Sequence, residues 1–157
     1  MKVKIRMATI DDCQSIHQLI VALSIFEKEP HQVDINVEDL IRDGFSDNPL
    51  FRCLVAQREQ KIVGMALFYP RYSTWKGPTF HLEDLIVQKE HTHQGIGKQL
   101  FKEFIAYAYR QGVQRIEWAV LNWNKNAIDF YKKSGAKILE DWRLVQMTRQ
   151  QMNQYLN

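Results

Sequence analysis

The stretch Val87-Gln-Lys-Glu-His-Thr-His-Gln-Gly-Ile-Gly-Lys98 has the residue types of an anion site. An apolar, strand-like run, Phe80–Val87, feeds a polar turn ending in Gly95-Ile-Gly97, and an amphipathic helix follows. The first amides of a helix have no intrahelical acceptor, and the helix dipole favours negative charge beside them. Glycines let the backbone approach a phosphate closely and adopt positive φ. A pyrophosphate cradle is the chemistry this spacing predicts. Just upstream, Glu83 and Asp84 interrupt the apolar run, where a carboxylate costs free energy unless it is paired. Adjacent residues of a strand face opposite sides, so the two carboxylates are expected to part, one exposed and one salt-bridged.

Other constellations carry less. His91 and His93 form an H-x-H pair, but no third ligand is apparent, so a solvated turn is expected and no metal. Cys13 and Cys53 are far apart, without CxxC spacing, and are read as buried free thiols of a reducing cytoplasm. GxGxxG and GxxxxGK[ST] are both lacking, which weakens dinucleotide and nucleoside-triphosphate readings.

The elements that must position these residues follow from periodicity. Lys2–Arg6 alternates as a short strand, and Thr9-Ile-Asp-Asp12 reads as a capping box opening a helix over 9–27. Asn36 caps a second helix ending near Gly44. Phe51–Gln57 and Lys61–Tyr69 form a hairpin, residues 70–78 an irregular loop with Trp75 and Gly77, and Phe80–Val87 the next strand. Ile96, Leu100, Phe104, Ile105 and Ala108 mark one face of a helix closed by Gly112. A strand over 115–121, a polar break at 122–126 and a short helix over 127–133 follow. A final hairpin is expected from 136–139 and 142–148, and the tail from Arg149 is weakly specified. The order is an α/β (α+β mixed sheet) arrangement, a central sheet with helices on both faces, in one domain spanning 1–157.

Composition sets the bounds. The chain has 157 residues, 45% hydrophobic and 25% charged, as expected of one soluble domain. No run approaches the roughly 18 apolar residues of a membrane span and the start lacks a signal-peptide core, so neither membrane nor export is expected. Residues 1–50 hold five Lys/Arg against nine Asp/Glu, net −4, whereas 51–157 hold 16 against nine, net +7. Chance and solvated helix faces account for that, or an acidic side meets a cationic substrate and a basic side an anionic cofactor. The basic residues are dispersed, so a nucleic-acid partner is not expected.

The sequence resembles the GCN5-related N-acetyltransferases. The family's turn reads Arg/Gln-x-x-Gly-x-Gly/Ala, and Thr92-His-Gln-Gly95-Ile-Gly97 matches it in part. The likeness covers essentially the whole chain: Arg6-x-Ala-Thr9, Leu82-Glu-Asp84, Leu121-Asn-Trp-Asn124 and Phe130-Tyr-Lys-Lys-Ser-Gly135. It is most similar to the diamine and polyamine acetyltransferases, and Tyr72-Ser-Thr-Trp75 leans toward the thialysine branch. The resemblance implies the family's acyl-CoA N-acyltransferase fold and direct transfer from acetyl-CoA to a primary amine of a small cationic substrate, in a ternary complex. A non-catalytic CoA-binding module and a protein acetyltransferase are the alternatives. A homodimer is implied as well, with the aromatic hairpin around Trp142 as a plausible interface.

Residue by residue, the resemblance implies that the amides of His93, Gln94, Gly95, Ile96, Gly97 and Lys98 hold the pyrophosphate. The backbone of Leu85, Ile86 and Val87 would pair with the pantetheine amides. Asn124, with Lys125, Asn126 and Ala127 after it, matches a cofactor-contacting segment, and Asn124 also reads as the N-cap of the helix that follows, two roles that are compatible. Tyr131 would give a proton to the leaving CoA thiolate, which a phenol can do. Phe26, Glu27 and Glu140 match amine-contacting positions, and Trp75 could wall the aliphatic part of the amine. Glu83 would sit at the substrate amine, attract its ammonium and take the proton that must leave before attack, directly or through water. Ser73 stands where polyamine enzymes tend to carry an acid, which implies a shorter amine than spermine. Thr92 replaces the family's Arg/Gln, so a guanidinium that could support the pyrophosphate is missing, and weaker cofactor binding rather than none is expected.

Overall fold

The computed structural model describes residues 2–157, in two compact units, one ending at Ala119 and one spanning Val120–Asn157. The first unit is a five-stranded sheet in the order β1 (Val3–Met7), β2 (Arg52–Arg58), β3 (Lys61–Ser73), β4 (Gly77–Val87), β5 (Ile116–Glu117). Its neighbours are antiparallel except β4 and β5, which run parallel. Three helices belong to this unit: α1 (Cys13–Phe26), α2 (Val37–Gly44) and α3 (Ile96–Arg110). The second unit holds α4 (Lys125–Lys133) and α5 (Arg149–Leu156).

The expected helix over 9–27 begins as a 3-10 turn, Ile10–Asp12, before α1. Asp12 Oδ2 accepts from the Thr9 amide at 2.8 Å, and the Asp12 carboxylate takes both Nη atoms of Arg6 at 2.7 and 2.9 Å. That guanidinium holds the buried Asp12 carboxyl below its ordinary range. Asn36 caps α2 as expected, accepting from Asp39 N at 2.9 Å.

Helices cover both faces of the sheet, as the patterning predicted. Cys13, Ile16 and Leu19 of α1 and Leu40 of α2 pack against Cys53, Val55, Ile62, Met65 and Leu67. Alternation sends Phe68 the other way, against Phe104 of α3 with ring centroids 4.9 Å apart. Ile62 and Met65 share a face despite their odd spacing. Gln57 pairs with Ile62 while Ala56 pairs with Gly64, leaving Val63 as the extra residue of a β-bulge. Cys13 and Cys53 are buried free thiols, and burial pushes the Cys53 thiol up.

Four expectations need correction. The irregular loop over 70–78 is mostly strand, since β3 continues to Ser73 and β4 begins at Gly77. Pro70 is tolerated there for a geometric reason. Phe80, opposite Pro70, donates its amide to Arg115 O on the β5 side, so the missing Pro70 N–H points away from β4. On that side β2 has already ended at Arg52, and no ladder bond is lost. The strand over 115–121 shrinks to Ile116–Glu117, and Trp118 turns edge-on to Phe101 of α3 at 5.4 Å. No strand forms over 136–148 among the described residues. Trp142, Leu144 and Val145 are exposed there, and a two-stranded ribbon without a packed face is marginal. Finally, the tail from Arg149 is the helix α5, started by Thr148 accepting from Gln151 N at 3.2 Å while Gln151 Oε1 takes the Thr148 amide at 2.8 Å.

Candidate active site

The central correction concerns Glu83 and Asp84. Leu67 pairs with Asp84 and Phe68 with Leu82, so Glu83 is the extra residue of a β-bulge in β4. A bulge interrupts the alternation of side chains. Both carboxylates therefore reach the α1–α2 side, where they line one pocket of about 520 Å³. Ile20, Leu40, Leu50, Phe51 and Leu67 supply its apolar wall, and Asp34, Asp39, Asp43, Glu83 and Asp84 its charge. None of the described lining residues is a lysine or arginine. Arg42, from outside, neutralises Asp39 at 2.7 Å and Asp43 at 2.8 Å. Asp34 and Glu83, with Asp84 once a cation favours its ionised form, remain as the excess negative charge, part of the acidic bias of the N-terminal third and part from β4.

The two bulge carboxylates sit in different environments. Glu83 is exposed, and its Oε2 accepts from the Tyr69 hydroxyl at 2.8 Å. His81 Nε2 lies 3.6 Å from the same oxygen, and its ring stacks on Tyr69 with centroids 5.2 Å apart. Burial, and then the Glu83 carboxylate, push the Tyr69 phenol up to about 12, which keeps it a donor. Asp84 is more enclosed. Burial first, then the charges of Glu83 and Glu27, raise its carboxyl to about 7. Glu27, the residue that closes α1, is likewise raised by burial and by Glu83. An ammonium in this pocket would favour the ionised form of Asp84, because opposite charge stabilises a carboxylate.

The structure thus brings Glu27 and Glu83 together and adds Asp84, Tyr69 and Asp34, which were not singled out as ligands. The only signal for Asp84 was its place beside Glu83 in an apolar run. Phe26 ends α1 and is exposed. Trp75 is not among the pocket's lining residues; it stands exposed at the tip of the β3–β4 hairpin. Ser73 forms that tip, its Oγ accepting from the amides of Trp75 and Lys76 at 3.2 Å each.

The same strand leads to the glycine turn. Leu85, Ile86 and Val87 pair with Ala66, Met65 and Gly64 on one side. On the other, β5 reaches only Phe80 and His81. Within this unit the last residues of β4 therefore present an open edge of amides and carbonyls, as a chain of ligand amides requires. In the turn, His93 (φ 60°) and Gly95 (φ 76°) are both left-handed. Gly95 caps α3 without a side-chain acceptor, so the first-turn amides through Lys98 keep their orphan donors, while buried Ile96 anchors the helix start. Gln94 and Gly97 complete this segment. The donor set fits a pyrophosphate. Thr92 spends its hydroxyl on Lys89 O at 2.8 Å. A guanidinium nevertheless lies against the turn: Arg58, at the end of β2, donates to Gln94 Oε1 at 2.7 Å and contacts His91 Nδ1 at 3.2 Å.

In the second unit, Asn124 caps α4, its Oδ1 accepting from Ala127 N at 3.2 Å, with Lys125 and Asn126 in the exposed first turn. Tyr131 is half-buried on α4 with its ring 5.4 Å from that of Phe130. Burial pushes its phenol up to about 12. Glu140 is exposed in the irregular segment between α4 and α5.

The sequence profile of the acetyltransferase (GNAT) family matches residues 14–136. The chain is 40% identical over 146 residues to a thialysine N-epsilon-acetyltransferase of Mus musculus, covering 88% of this chain and 86% of that one. It is 36% identical over 121 residues to an L-ornithine N5-acetyltransferase of Arabidopsis thaliana, covering 76% of this chain and 50% of the relative. Among solved structures, an integron cassette protein from the mobile metagenome of V. cholerae superposes with a TM-score of 0.81 at 22% identity, covering 99% and 98% of the two chains. That last likeness shows the fold alone.

Proposed function

The chain belongs to the GNAT family of acetyltransferases, and from that premise we propose that it moves an acetyl group from acetyl-CoA to a primary amine of a small cationic molecule of the thialysine, diamine or polyamine kind. The observation that carries the substrate class is the acidic pocket at the β4 bulge, which has no cation in its described lining and lies on the strand that leads to the glycine turn. Relatives named for thialysine and ornithine act on short amines that end in an ammonium, and such a group matches the excess charge of Asp34, Glu83 and Asp84.

Acetyl-CoA supplies the acyl group as a thioester. The amides from His93 to Lys98 hold its pyrophosphate, and the open edge at Leu85 to Val87 pairs with its pantetheine arm. Asp84 and Glu27 anchor the ammonium. Glu83, exposed and hydrogen-bonded by Tyr69, takes the amine proton directly or through water, so that the lone pair is free to attack. Tyr131 keeps its proton at neutral pH, as its raised affinity requires, and gives it to the thiolate that leaves. Asn124 to Ala127 contribute to cofactor binding by resemblance, as Phe26, Trp75 and Glu140 do to amine binding. The whole chain acts as one N-acetyltransferase domain, in the cytoplasm and as a homodimer, which sedimentation at micromolar concentration checks.

The deciding experiment is acetyl-CoA turnover with thialysine, lysine, ornithine, putrescine and spermidine. The expected result is highest kcat/KM for a short amine and lowest for spermidine. Binding of acetyl-CoA without turnover of any small amine would sink the substrate assignment.

A further inference from the structure

We propose that Arg58 is the positioning residue of the cofactor turn, supplying from the sheet the guanidinium that Thr92 leaves out of the turn itself. The inference rests on reading that turn as the acetyl-CoA cradle. Arg58 ends β2, paired with Val3 on one side and Lys61 on the other, so its backbone belongs to the rigid sheet. Its side chain reaches the polar turn at two points. Nη2 donates to Gln94 Oε1 at 2.7 Å, and Nη1 lies 3.2 Å from His91 Nδ1. A guanidinium is always a donor, so His91 accepts at Nδ1 and carries its proton on Nε2. The two contacts bracket His93, a non-glycine residue at φ 60°. Left-handed backbone is unfavourable for such a residue and persists where its surroundings over-determine it.

The rest of the turn closes on the same fixture. Gln94 Nε2 also donates to Glu90 O at 3.4 Å, and Thr92 Oγ1 to Lys89 O. With Gln94 fixed, the amides of Gln94, Gly95 and Ile96 have a fixed direction, and that direction decides whether they converge on one anion. Arg58 Nε is buried and has no hydrogen bond among the described residues, so the fork holds the turn by its two Nη atoms. A lysine, with one point of charge and no fork, cannot make both contacts at once.

Calorimetric titration with CoA tests this on the full chain and on Arg58→Gln, Arg58→Lys, Gln94→Ala and the double variant Arg58→Gln/Gln94→Ala. The expected result is a Kd for CoA about tenfold weaker in each single variant, from loss of one charge-assisted bond that orders the cradle. The double variant should be no weaker than Arg58→Gln, because the two residues act as one unit. In turnover, KM for acetyl-CoA should rise with kcat and the amine KM nearly unchanged, a split that general destabilisation would not give. Gln94 is exposed, so Gln94→Ala keeps the question open to measurement if the Arg58 variants fold poorly. Full affinity in Arg58→Lys would mean that charge alone is needed, and additive losses in the double variant would mean that the two residues act separately; either result overturns the proposal. A parent chain that binds no CoA overturns the cofactor reading and this inference with it, whereas binding left unchanged by Arg58→Gln overturns the inference alone.

Discussion

Asp84 offers the sharpest test of the bulge. Its carboxyl rises from an ordinary 3.8 to about 7 because it is buried and faces Glu83 and Glu27. At about 1.36 kcal/mol per tenfold change in proton affinity, the difference corresponds to roughly 4 kcal/mol, an upper bound for a pocket that water enters. The sign follows from proton counting. Below pH 3.8 the carboxyl is neutral in both the folded and unfolded chain and costs nothing. Between about 4 and 7 the folded chain keeps a proton that the unfolded chain has released, so stability falls as pH rises; above 7 the full cost is present. Asp84→Asn removes the charge at nearly constant shape. Its Tm should match the parent's near pH 4 and exceed it at pH 8 by at most about 8–16 °C, taking about 2–4 °C per kcal/mol for a chain of this size. The assay is thermal unfolding by circular dichroism from pH 4 to 8.5, with and without a millimolar diamine, which should raise the parent's Tm at pH 8 and leave the variant's nearly fixed. Parallel Tm curves for the two proteins without amine would refute the placement of Asp84 beside two other carboxylates.

Tyr131→Phe should lower kcat by about a hundredfold with little change in CoA affinity, as measured by steady-state kinetics beside calorimetry; an unchanged kcat removes its role as proton donor. Arg6→Ala leaves the buried Asp12 carboxylate without its bidentate partner and should cost about 2–3 kcal/mol in urea denaturation at pH 7. Asp12 has its proton affinity lowered in the fold, so that contribution is present above pH 3.8 and fades as the pH falls below it. Trp75 is exposed at a hairpin tip, so Trp75→Ala should leave Tm within about 1–2 °C. If it walls the amine, KM for the amine rises about three- to tenfold with KM for acetyl-CoA unchanged; equal KM values would assign Trp75 to the hairpin alone.

Local chemistry made much of the molecule legible. The Asn36 cap, the Gly112 stop, the first-turn amides after Gly95 and the hairpin of β2 and β3 each depend on a few neighbouring residues, and so does the presence of a second carboxylate beside Glu83. The Thr148-x-x-Gln151 cap of α5 is equally local, but the polar residues around it carry no apolar periodicity, and the tail reads as weakly specified. Three features are not local. The β4 bulge depends on the register of Leu67 and Phe68 across the sheet, a long-range pairing that no local spacing reveals. The strand character of Pro70 depends on where β2 ends. The approach of Arg58 to the glycine turn joins residues more than thirty positions apart. That a carboxylate-bearing strand runs into a helix start with orphan amides is legible locally, because those are properties of adjacent residues. That Glu83 and Asp84 share one pocket and that a guanidinium lies against the turn follows from register and close approach across the sheet, which packing sets.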